Sequence, residues 1–130
     1  MSYGSSLTVP APFAPTVERV RGALAAQGFG ILTEIDVQAT LKTKLDHDME
    51  DYVILGACNP PLAHQALEAD RSIGLLLPCN VVVRSAGPDS TVVEALDPQV
   101  MVQLTGLPEL AAVADQAAAK LAAAMASLAG

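Results

Sequence analysis

The stretch LPCNVVVRSAGPDSTVVEALD, residues 77–97, decides the fold class. It holds two runs rich in β-branched residues on either side of AGPD (86–89), where Gly, Pro and Asp together signal a turn. Such a pair of runs reads as a β-hairpin. Pro78 has no N–H to give to a ladder, so regular pairing begins near Cys79. The second strand is STVVEALD, 90–97. A hairpin followed by a long helix belongs to an α+β domain with a mostly antiparallel sheet, rather than to a parallel α/β sheet.

Downstream, Pro98 to Leu104 reads as one or two helical turns. Pro108 opens a C-terminal helix over about 109–128. Leu110, Val113, Ala117, Leu121, Ala124 and Leu128 form one apolar stripe along it, the pattern of a helix laid on a core. Upstream, YGSSLTV (3–9) is a short strand and APFAPT (11–16) a proline-rich connector. Thr16 is an N-cap residue for a helix over 17–27, with Val17, Val20, Ala23 and Leu24 on one face and Gly28 at the C-terminal stop. FGILTEID (29–36) is a strand, Asp36 caps a helix over 37–45, and DYVILGA (51–57) is a buried strand. Asn59 followed by Pro60 starts a further helix that ends near Ala69. The order is β-α-β-α-β-α-β-β-α, in a single domain over 1–130 with helices packed on one face of the sheet.

The composition bounds the function classes. A domain of 130 residues folds on its own core, and 52% of this chain is apolar against 16% charged. Fourteen acidic and seven basic residues give a net charge of −7, with no basic cluster. Nucleic acid and anionic membrane are therefore excluded as partners, since phosphate binding needs a basic face. Asp115, Gln116 and Lys120 interrupt the Ala-rich tail before it reaches the length of a membrane span. No charged segment followed by an apolar one opens the chain, so a cytoplasmic location is the expectation.

Two segments carry candidate chemistry. GACNPP (56–61) and LPCNVVV (77–83) each set Cys-Asn beside a proline. Cys58 falls where a strand gives way to a helix, and the free N–H groups of a helix start lower a thiol pKa or attract a small anion. Cys79 falls at a strand start. If the two strands are neighbours, both sulfurs face one pocket. The competing reading is that both are inert, buried thiols, that Asn59 is a cap, and that Asn80 satisfies a backbone group.

His64, six residues after Cys58, lies on the following helix, and a surface histidine is its plain reading. Glu34 and Asp36 alternate on a strand, where acid–base work competes with capping by Asp36. His47, among Asp46, Asp48, Glu50 and Asp51, lacks the glycine and ligand order of a calcium loop. No zinc spacing, phosphate loop or dinucleotide fingerprint is present, so no metal site is read and the identity of any cofactor stays open.

Taken together, GFGILTEIDVQATLKTKL, GACNPPLAHQALEAD, IGLLLPCNVVV and VVEALDP resemble the domain-of-unknown-function family numbered 302. The resemblance covers about residues 16–104. The family's hallmark positions fall on Gly28, Phe29, Gly30, Asp36, Cys58, Asn59, Pro60, Ala63, Leu67, Pro78, Cys79, Asn80 and the pair Asp97-Pro98. It implies an α+β fold with a curved antiparallel sheet, in the architectural group that includes the TATA-binding-protein fold, and a homodimer. It supplies no activity. The Ala-rich C-terminal helix departs from the family pattern.

Three functional readings follow. The first is a small-molecule-binding module lined by Cys58, Asn59, Cys79, Asn80, His64 and Asp36, with backbone donors supplied at Asn59. The second is a thiol enzyme or redox switch in which Cys58 and Cys79 are catalytic. The third is an interaction domain that homodimerises.

Overall fold

The hairpin of residues 77–97 forms the middle of the molecule. In the computed structural model, which describes residues 1–129, β4 (Cys79–Gly87) and β5 (Ser90–Leu96) pair antiparallel through a Pro88-Asp89 turn. Val81, Val83, Val93 and Ala95 point to one face and are almost fully buried. Each such aliphatic side chain contributes about 1.5–3 kcal/mol through its removal from water.

The other strands complete an all-antiparallel sheet. β1 (Gly4–Val9) pairs with β5, β3 (Tyr52–Cys58) with β4, and β2 (Gly30–Asp36) with β3, in the order β1-β5-β4-β3-β2. This is the α+β architecture expected from the hairpin.

Two helices cover the inward face. α1 (Phe13–Ala26) contributes Val17, Val20 and Leu24, and α5 (Ala111–Ala129) contributes Leu121, Ala124 and Leu128 to the same cluster. Arg19 ties them by donating to the Leu128 carbonyl at 3.1 Å. The α5 stripe read from the sequence is buried at every position, from Leu110 to Leu128.

α1 corrects one expectation. It begins at Phe13, not Val17, because Pro12 precedes it and Pro15 falls in its first turn, where a proline loses no helix hydrogen bond. Thr16 is thus not a cap. It is fully buried within the helix, and its hydroxyl donates to the Pro12 carbonyl at 2.7 Å.

The end of α1 is as expected. Gly28 has φ +84°, its N–H bonds the Ala25 carbonyl, and the Phe29 N–H bonds the Leu24 carbonyl. This left-handed stop turns the chain and carries Phe29 into the interior.

A second apolar cluster lies beyond the sheet. α3 (Pro60–Ala69) supplies Leu62 and Ala66, and a 3-10 turn (Arg71–Leu76) supplies Ile73. α4 (Gln99–Thr105) gives Met101, and the start of α5 gives Val113, Ala114 and Ala117. α2 (Val37–Leu45) buries no residue and follows β2 directly through the Asp36 cap, whose carboxylate accepts the Ala39 N–H at 2.9 Å.

Candidate functional site

The two clusters do not fuse. Between them is a hollow of about 280 Å³. Phe29, Ala57 and Cys79 of the sheet cluster form one wall, and Leu62, Ala66, Met101, Val113 and Ala117 of the helical cluster form the other. Leu32, Cys58, Asn59, Ala63, Leu67, Leu77 and Pro78 complete it. The space exists because the facing positions of α3 and α5 are Ala63, Ala66 and Ala117, too small to close it.

The strand register brings the two cysteines here. Cys79 pairs with Ala57 across β3 and β4. Antiparallel partners have Cα atoms roughly 4.5–5.5 Å apart, so Cys58, one residue on, is a near neighbour of Cys79. Alternation alone would turn Cys58 to the far face. It lines the hollow because β3 ends there and the chain swings into Asn59 and α3.

Cys79 is buried and Cys58 half-buried, and both are free thiols. Burial first, and the charge of an ionised Cys58 second, push the Cys79 thiol upward from its ordinary value. Cys79 is therefore held as a neutral thiol at physiological pH.

Asn59 is the helix cap that the sequence implied. Its Oδ1 accepts the Leu62 N–H and its Nδ2 donates to the Gln27 carbonyl, both at 3.4 Å. Gly56 fixes the opposite rim. A Cβ there would overlap the Thr33 hydroxyl and stand 2.8 Å from Pro78 Cγ. Glycine is what lets Pro78 lie against β3 and place Cys79 beside Ala57.

Of the residues expected to share one site, the structure brings together Cys58, Asn59 and Cys79 and not the other three. Asn80 follows Cys79 on the opposite side of the pleat. It is exposed in a separate depression with Tyr3, Tyr52 and Glu94. His64 is exposed on α3 and is not among the residues that line the hollow. Asp36 caps α2 and borders a third depression with Glu18, Glu34 and Asp51, where Arg21 pairs with Glu34 at 2.8 Å.

Among the described residues, no group of three His, Cys, Asp or Glu side chains is placed to hold a metal ion, and no helix is long and apolar enough to cross a membrane.

Sequence reasoning missed Phe29, Met101, Val113 and Ala117 as lining residues. Phe29 had a signal: it is one of the chain's two phenylalanines, and it directly follows the helix-stopping Gly28. Val113 and Ala117 had none beyond their place in an apolar stripe, and Met101 had none.

The comparisons agree with this architecture. The family described as "Domain of unknown function DUF302" matches residues 5–128. The match includes the C-terminal helix, so α5 is part of the family domain and not a departure from it. A search of curated proteins gave no match. A crystal structure of an uncharacterized conserved DUF302 protein from Bacillus stearothermophilus is similar to this one. It is 28% identical, with 96% of this chain and 97% of that chain covered, at a TM-score of 0.87. In sequence over most of its length and in fold throughout, this chain belongs to the DUF302 family.

Proposed function

We propose that this protein is a small-molecule-binding module whose site is the hollow between β3, β4, α3 and α5. The observation that carries the reading is convergence. Cys58, Asn59 and Cys79, from two segments about twenty residues apart, line a single open cavity of about 280 Å³. A concave, largely apolar space with a few polar or reactive groups is the usual form of a ligand site.

A ligand-observed NMR screen of a diverse fragment library tests it. Fragments should bind the wild type and be displaced when Ala63→Phe fills the hollow. A screen without binders, or with binders indifferent to that substitution, rejects the reading.

The thiol reading has its own support, since both sulfurs line the same cavity. Against it, a thiol kept neutral by burial is a poor nucleophile. Mild oxidation with diamide decides: an intramolecular Cys58–Cys79 disulfide supports it, and two thiols that survive sink it. Self-association is a separate proposal, resting on the second face of the sheet, where Ile35 is exposed and Ile54 and Val82 are part-exposed. Sedimentation velocity distinguishes dimer from monomer.

A further inference from the structure

We infer that the ligand of this hollow is a neutral, largely apolar molecule with at most one hydrogen-bonding group, and that carboxylates and phosphates are rejected. The inference rests on the ligand-binding reading and gives it a chemical class.

A helix start presents up to four backbone N–H groups without helical partners, which is why anions gather there. At α3 most of that supply is missing. Pro60 and Pro61 have no N–H. The Leu62 N–H is taken by Asn59 Oδ1 at 3.4 Å, and the Ala63 N–H by the Asn59 carbonyl at 2.9 Å. The anion site that the sequence suggested at this helix is therefore stripped of most of its donors. The proline pair that makes a clean helix start is also what removes the donors.

The side chains agree. None of the residues lining the hollow is charged, and Asn59 is the one that carries a side-chain nitrogen or oxygen. Its Nδ2 spends one N–H on the Gln27 carbonyl, so at most one side-chain N–H remains for a ligand oxygen. Among the described residues, no buried side-chain nitrogen or oxygen lacks a partner, so no second side-chain nitrogen or oxygen in the hollow waits for a ligand. A carboxylate placed there would give up its hydration with nothing to replace it. A cation would find no carboxylate. The net charge of −7 works against anions from a distance as well.

Size follows from volume. An apolar cavity of about 150 Å³ takes up benzene, so about twice that volume suits a molecule of roughly ten to twelve non-hydrogen atoms.

Two matched pairs test the class: 2-naphthalenemethanol against 2-naphthoate, and 1-octanol against octanoate, titrated by calorimetry at neutral pH. Within each pair the shape is nearly constant and the charge differs. The alcohols should bind at least tenfold more tightly than the acids, and binding should be lost in Ala63→Phe. Ala63→Leu, a milder filling of the same space, serves if the phenylalanine variant does not fold. Acids that bind as tightly as the alcohols, and are displaced by the same substitutions, overturn the inference and leave the hollow as a ligand site. Silence from all four probes while library fragments still bind and are displaced also overturns it. Silence from probes and library together removes the ligand-binding reading itself.

Discussion

Gly56→Ala probes the contact that sets the rim of the hollow. The added Cβ would lie 2.8 Å from Pro78 Cγ and overlap the Thr33 hydroxyl. Ordinary carbon–carbon contact begins near 3.5 Å, so Pro78 and β3 must part by roughly 0.7 Å. The Thr33 side chain is exposed and can rotate away. The proline ring has no such freedom, because the next residue is fixed in the β3–β4 ladder opposite Ala57.

Overpacking of a tight site costs about 1–3 kcal/mol, and a rigid obstacle puts this case at about 2–3. For a domain of this size that lowers Tm by roughly 8–12 °C. Guanidinium unfolding measures the cost directly. Thr33→Ala in the same chain removes the hydroxyl but not the proline, so the double variant should regain little, within roughly 0.5 kcal/mol, leaving the rest. If Gly56→Ala stays within roughly 0.5 kcal/mol of the wild type, the range of an ordinary surface change, the rim is soft and the account of it is wrong.

Two further outcomes are expected. Cys79 ionises above its ordinary value of 9.0 because of burial and then because of Cys58, so between the unfolded and folded pKa values the folded chain holds more protons. That contribution to stability is complete below about pH 9 and is lost as pH rises further; Cys79→Ala should flatten the loss in denaturation series run across that range, and an unchanged slope would count against it. Asn59→Ala removes the α3 cap and should lower stability by about 1 kcal/mol in guanidinium unfolding, while Asn59→Asp, which can still accept the Leu62 N–H but sets an oxygen against the Gln27 carbonyl, should recover only part of it.

The sequence by itself determined what depends on near neighbours. The turn at residues 86–89, the caps at Asp36 and Asn59, the stop at Gly28 and the buried stripe of α5 are each written in a few adjacent residues or in one helical period. They survive in the fold because local propensity and tertiary packing agree there. The start of α1 was less legible, since Pro12, Pro15 and Thr16 are compatible with either a connector or a first helical turn.

Only the tertiary structure decided the site. Which of Cys79 and Asn80 faces inward depends on which face of the sheet α1 and α5 cover, and one step along a pleat reverses it. Cys58 escapes that alternation because its strand ends. The hollow is the least local feature of all. It is the space left where Ala63 and Ala66 of α3 meet Ala117 of α5, some fifty residues later, and no single segment records that their small side chains face one another. A sequence specifies which atoms are present. Where they fail to fill space is a property of distant elements packed together.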